Sequence, residues 1–249
     1  MALSGIHAYI SIVLKNKLPY KKWFFSSFLF GSILPDIDYL FSNLHLLITV
    51  PDFLSILNKT FAHSIISAIL IYLLLLIAYE WNKKNKYLNV ANGLLLGMLL
   101  HITIDLLIWN NTIDLFWPLP IDSIRLLNID FFEKFYIPII VLELLFLRIF
   151  ASFAINSILE YPGRNSYFIK HLNRWTKVLL YVFIIFPISH YLIPIKDTQI
   201  LYFIIYIPCF FMMLYTIYLL NDSIDYIKKD IKEEKAGNYD RTNTTINLD

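Results

Sequence analysis

The chain has 249 residues, of which 58% are apolar or aromatic and only 16% are charged. A soluble domain carries about 25% charged residues, so this chain lacks the polar surface needed to cover a core of its own size; its mean hydropathy of +0.60 agrees. Twenty-one Lys and Arg against nineteen Asp and Glu leave a net charge of +2, and a single cysteine, Cys209, lies in an apolar run. Those counts exclude a basic nucleic-acid interface, so no nucleic acid is expected as a partner, and they exclude a disulfide framework or a Cys-rich zinc site. They also exclude a disordered chain, which needs low hydrophobicity and high net charge.

Taken in order, the first 60 residues hold two apolar segments, 5–14 and 24–34. Both fall short of the roughly 20 residues that cross a bilayer, and Pro35 disfavours helical geometry at Leu34 and is expected to end the second helix there. They read as half-membrane or interfacial helices packed on later spans. The first seven residues have no basic run and no small-residue cleavage pattern follows, so no signal peptide is expected. Full spans are expected at 61–81, 87–104, 135–159, 178–195 and 198–221, with aromatic residues such as Trp81, Trp109, Trp117 and Trp175 near their ends. The fold class is therefore all-α: a multi-pass helical membrane protein with about five full spans plus one or two short N-terminal half-membrane helices. It divides into 1–134, which carries the candidate site, 135–221, which adds transmembrane helices, and a polar tail, 222–249.

Basic residues set the orientation. Sixteen of them fall in four groups on one side: Lys15 to Lys22, Lys83 to Lys86, Arg164 to Lys177, and Lys228 to Arg241. Four face the other side, namely Lys59, Arg125, Lys134 and Lys196. The positive-inside rule places the sixteen, and with them the C-terminus, in the cytoplasm of a bacterial cell whose inner membrane the chain crosses. The 109–134 loop then faces outward.

Ionisable residues inside a span cost a few kcal/mol each and so mark chemistry or pairing. His101 and Asp105 are four apart, which puts imidazole and carboxylate on one helix face, a sensible arrangement for two ligands to one divalent cation. A hydrogen-bonded pair that pins two helices together explains them equally well. Asp36 and Asp38 repel unless a cation, a proton or a base lies between them, or they are ordinary turn and capping residues. His63-Ser64 stands at the start of the 61–81 span, where a histidine is by default an interfacial or capping residue; His7 by default is packed. In the inferred topology Asp36, Asp38, His63, His101 and Asp105 all lie towards one face of the membrane, and that convergence favours a site.

These residues resemble a known family, the YdjM-like membrane-bound metal-dependent hydrolases. The resemblance rests on His7, the run Gly31-Ser-Ile-Leu-Pro-Asp-Ile-Asp38, His63-Ser64, the run Gly97-Met-Leu-Leu-His-Ile-Thr-Ile-Asp105, and Phe116-Trp-Pro118. It covers about the first half of the chain. The family is in turn distantly similar to the zinc-dependent phospholipase C and single-strand nuclease group, all-helical enzymes that cleave phosphate esters. The resemblance implies a divalent metal, most of all zinc, with manganese or iron as substitutes. It implies His7, Asp36, Asp38, His63, His101 and Asp105 as metal ligands, with Asp105 able to bridge two ions and Asp36 or Asp38 serving in catalysis. The implied substrate is a phosphate ester, a membrane lipid headgroup or a lipid-linked phosphate, at the outer face. Asn58, Lys59, Ala62, Ile108 and Asn111 depart from the family pattern, and no histidine follows Asp105 closely, so one or two metals are implied rather than three.

Glu143 and Arg148 lie in the 135–159 span, outside the motif-bearing half, and are expected to be structural, paired with each other or each meeting a neighbouring helix. An ion-coupled transporter or a catalytically silent membrane scaffold are the alternatives to a hydrolase.

Overall fold

With no water in a bilayer to satisfy them, backbone N–H and C=O groups must pair within the chain, which selects helices. The computed structural model follows that rule. It describes residues 4–43, 61–108, 113–124, 131–160, 166–194, 197–219 and 221. The helices are α1 (Ser4–Leu14), α2 (Phe24–Gly31), α3 (Ile37–Asn43), α4 (Ile65–Asn82), α5 (Asn85–Ile108), α6 (Phe131–Glu160), α7 (Ser166–Leu192) and α8 (Asp197–Leu219). Among the described residues the β pairing is a single antiparallel bridge between Ile113 and Ile124. The tail 222–249, its mixed-charge run, Asn58, Lys59, Asn111 and most of the basic residues expected outside lie beyond the described residues.

All five expected spans are helices long and apolar enough to cross a membrane, and a sixth candidate is Phe24–Phe41. That sixth replaces one of the expected half-membrane helices. The apolar run does not stop at Pro35: α2 ends three residues before Leu34, at Gly31, and Pro35 sits in the first positions of a 3-10 turn, Leu34–Asp36, that leads directly into α3. Proline lacks an N–H and fixes φ, which suits the first turn of a helix; here it starts the second element rather than stopping the first. The other short segment stays short, since α1 has 11 residues, about 16 Å of helix. A second revision concerns α7, which begins twelve residues before the expected 178, because Lys170, Arg174 and Lys177 are good helix formers exposed along its first turns.

Burial separates the spans into a centre and a periphery. The Phe24–Phe41 segment is 72% buried, whereas Ile65–Asn82 is 11% buried and Phe168–Ser189 is 17% buried. Leu70, Leu73, Leu74 and Ile77 on α4, and Tyr181, Ile184, Ile185 and Ile188 on α7, are exposed. An aqueous protein does not present apolar faces of that extent; lipid is their natural neighbour. The chain is a multi-pass membrane protein. Its main core joins α1, α2, α6, α7 and α8 through residues such as Ala8, Phe25, Leu29, Leu147, Phe150, Leu172, Tyr206 and Phe210, and Cys209 packs there as an apolar group.

Helix α5 holds the candidate site in register. It packs along α2 on one side and α4 on another. The contact with α2 is backbone to backbone: a Cβ at Gly93 would lie 2.4 Å from the Phe24 oxygen, and one at Gly97 would lie 2.2 Å from the Phe28 oxygen. Gly31 on α2 answers from the other side, where a Cβ would meet the Leu94 oxygen at 2.5 Å. Small residues four apart permit this approach between membrane helices.

Candidate metal centre

Four segments bring six ionisable side chains to one place. His101 and Asp105 stand one turn apart near the C-terminal end of α5, and His63 precedes the antiparallel α4, so both helices present these residues at the same end of the bundle. Ser64 caps α4 by accepting from the Ile66 N–H at 3.1 Å, and its hydroxyl lies 2.7 Å from the Trp117 oxygen. The Ile65 N–H donates to the Leu115 oxygen at 2.9 Å. The segment 113–124, which includes the Phe116-Trp-Pro118 run, is thereby strapped over the turn that carries His63. Asp36 closes the 3-10 turn after α2, Asp38 lies in the first turn of α3, and His7 lies in the second turn of α1. All six are at least 97% buried.

Asp105 is the hub. Its Oδ1 lies 3.2 Å from His7 Nε2, and its Oδ2 lies 3.4 Å from His63 Nε2 and 3.8 Å from His101 Nε2. Asp36 Oδ1 lies 3.9 Å from His101 Nε2. The i,i+4 expectation for His101 and Asp105 therefore holds, and both residues face inward together. The His7 ring stacks on that of His101, centroids 3.8 Å apart and planes 25° from parallel. Neither His7 ring nitrogen has a hydrogen-bond partner among the described residues, so its approach to Asp105 is close without the alignment of a hydrogen bond.

Two imidazoles are oriented from behind. His101 Nδ1 lies 2.8 Å from the Ser32 carbonyl, which can only accept, so Nδ1 carries a proton and, in the neutral ring, Nε2 a lone pair. His63 Nδ1 lies 3.3 Å from Asp38 Oδ2, which also accepts the Ala62 N–H at 2.8 Å. The same reasoning leaves a lone pair on His63 Nε2, and the two Nε2 atoms stand 3.2 Å apart. Two acceptors facing each other at that distance repel unless something positive lies between them. Asp38 thus sits behind His63, whereas Asp36, His63, His101 and Asp105 direct donor atoms at a common region.

That geometry fits a metal. Bonds of 2.0–2.1 Å in a tetrahedral zinc shell place neighbouring donors about 3.3 Å apart, and the separations here run from 3.2 to 3.9 Å. The groups able to hold an ion are Asp36, His63 and His101 together, and His7, His101 and Asp105 together. Carbonyl and carboxylate partners on the far ring nitrogens are also the usual support of metal-ligating histidines.

Three further residues bear on the site without any motif to announce them. Ser4 Oγ lies 2.5 Å from Asp36 Oδ2 and 2.5 Å from the Tyr206 hydroxyl. Glu143, expected to be structural, meets the N-terminus of α1: its Oε1 accepts from Gly5 N–H at 2.6 Å and its Oε2 from Ile6 N–H at 3.2 Å. Arg148, five residues on, is not its partner among the described residues. A carboxyl group at a helix N-terminus satisfies orphan N–H groups and favours the macrodipole, and here it fixes the helix that carries Ser4 and His7.

The chain matches the family described as YdjM inner membrane protein over residues 2–221. It belongs to that family. The match extends well past the first half of the chain and takes in α6, α7 and α8, which supply Glu143 and Tyr206. No curated protein and no solved structure matches the chain.

Proposed function

We propose that the cluster binds a divalent cation, zinc by its mixed nitrogen and oxygen donors, and that the protein is a membrane-bound metal-dependent hydrolase of phosphate esters. The observation that carries this reading is the approach of the two Nε2 atoms to 3.2 Å, with an acceptor beside the opposite nitrogen of each ring. Manganese or iron would tolerate the same set. His63, His101, Asp36 and Asp105 would hold the ion, and the second oxygen of Asp105, with His7 beside it, offers a place for another. A cation bound there supplies Lewis acidity, lowering the pKa of a water molecule and polarising a phosphoryl oxygen. Asp38 accepts from His63 Nδ1 and so turns the Nε2 of that ring towards the centre. Asp36 presents one carboxyl oxygen to the centre while Ser4 occupies the other.

The phosphate-ester class rests on the family's resemblance to the zinc-dependent phospholipase C and nuclease group. A lipid headgroup or lipid-linked phosphate suits a site at one end of a bundle whose α4 face is open to lipid. Elemental analysis of the detergent-purified protein tests the reading. About one to two equivalents of zinc per chain are expected, with His101→Ala lowering metal content without unfolding the protein and abolishing hydrolysis of a phosphodiester probe. Protein that is isolated metal-free and takes up no zinc when dialysed against it would sink the proposal.

We further propose that the site faces outward and the C-terminus inward, since the basic residues are so unevenly divided. A fluorescent reporter that folds only in the cytoplasm, fused to the C-terminus, should fluoresce. Activity there of an export-dependent reporter instead would reverse the orientation.

A further inference from the structure

Tyr206 lies on α8, 202 residues from Ser4 and far from every motif, yet its hydroxyl touches the site's periphery. Ser4, Tyr206 and Asp36 are all at least 98% buried. A serine hydroxyl has one proton. A carboxylate has none to give, so Ser4 donates to Asp36 Oδ2, and the phenol must then donate its own proton to Ser4 Oγ. The chain therefore runs one way, from Tyr206 through Ser4 to Asp36. It occupies Oδ2 and leaves Oδ1 facing His101 Nε2.

Both links are held from outside. The Tyr206 ring meets Tyr39 edge-on, with centroids 5.5 Å apart, and packs at 5.8 Å against both Tyr202 and Phe210. Ser4 is held where it is by the grip of Glu143 on the next two N–H groups of α1. Asp36 closes the 3-10 turn that holds Pro35, its N–H donating to the Ile33 oxygen at 3.1 Å.

We propose that Ser4 and Tyr206 are positioning residues that fix Asp36 as a one-oxygen metal ligand. This rests on the metal reading above and assigns to Asp36 what the Ser32 carbonyl does for His101 and Asp38 does for His63. Each of these three donors then has a separate holder, and the holder of Asp36 comes from α1 and α8. Outer partners of metal ligands are commonly worth about 10–100-fold in affinity.

The test uses the full-length protein in detergent, with wild type, Tyr206→Phe, Ser4→Ala and the double variant titrated with zinc against a chromophoric chelator. Optical spectra of the cobalt(II)-loaded forms report ligand geometry independently of activity. Ser4→Ala should lose about 10–100-fold in zinc affinity and alter the cobalt ligand-field bands. Tyr206→Phe, which keeps the ring and its packing, should lose less and shift the bands in the same direction. The double variant should be no worse than Ser4→Ala, because the phenol reaches Asp36 only through Ser4. Wild-type affinity and spectra in both single variants would overturn the proposal, as would losses that add in the double variant. Wild-type protein that binds no metal would instead sink the metal reading itself.

Discussion

Asp105→Asn is expected to remove tight metal binding, a loss well beyond the one that Asp38→Asn produces. The two aspartates are equally buried and both touch histidines, so residue type and depth do not separate them. Connectivity does. Asp105 approaches three imidazoles, His7, His63 and His101, on the sides that face one another. Among the described residues Asp38 approaches one imidazole, that of His63, at the ring nitrogen turned away from the others. Asparagine preserves the volume in both cases but removes the negative charge and puts an NH2 group where one oxygen stood. At position 105 this deletes a ligand that faces every histidine of the cluster. At position 38 it weakens the hold on one ligand, for which about 10–100-fold is the usual loss. Zinc competition titrations on the two variants, with thermal unfolding in detergent to confirm that both fold, would read the difference. Equal losses would mean that Asp38 is itself a ligand, and the division into donors and holders would be wrong.

The parts of this architecture that a linear reading reached are those encoded by neighbouring residues. Lipid demands uninterrupted apolar runs, so α4, α5, α6 and α8 were visible as spans nearly to their ends. His101 and Asp105 were visible because four residues make about one helical turn. Helix α7 was legible only in its apolar second half, since Lys170, Arg174 and Lys177 disguised helical residues as a loop. The sixth candidate span was hidden by the reading of Pro35 as a stop, where the chain uses it to begin a turn.

The site's supports were hidden for a different reason. Ser4, Tyr206 and the Ser32 carbonyl carry no periodicity, and serine and tyrosine are ordinary residues whose partners lie 32 to 202 positions away. Nothing local distinguishes Tyr206 from its neighbour Tyr202. Glu143 was conspicuous as an acid in a span, but its partners are backbone N–H groups of α1, and backbone leaves no trace in a sequence. Of the two expected arrangements, a pair with Arg148 or contact with a neighbouring helix, Glu143 takes the second. A helix N-terminus, with its orphan N–H groups and about half a positive charge, can serve as the counterpart of a buried carboxyl group, and a search among charged residues overlooks it.

Gly97→Ala is expected to destabilise the protein and to lower its metal affinity with no change to any ligand. Helix propensity alone points the other way, because replacing an interior glycine by alanine favours the helix by about 1 kcal/mol. The contact decides the sign. A Cβ at Gly97 would lie 2.2 Å from the Phe28 oxygen, 2.8 Å from the Ser32 nitrogen and 3.0 Å from the Gly31 carbonyl carbon, where ordinary contact begins near 3.4 Å. These are backbone atoms of α2 and the residue after it, which cannot rotate aside, so the helices must separate by about 1 Å. Overpacking of this kind costs about 1–3 kcal/mol, with a rigid neighbour favouring the upper end, and the net loss should be about 1–2 kcal/mol after the gain in propensity. The displaced segment includes Ser32, whose carbonyl sets the tautomer of His101, one turn along α5 from Gly97. Separation of α2 from α5 would lengthen that hydrogen bond and pull His101 away from Asp36, which follows on the same segment as Ser32. Leu96→Ala, at a half-exposed position one residue away, should leave metal affinity unchanged. Thermal unfolding in detergent and zinc titration of both variants check the pair; a Gly97→Ala protein as stable and as metal-avid as wild type would show that α2 and α5 are not in backbone contact.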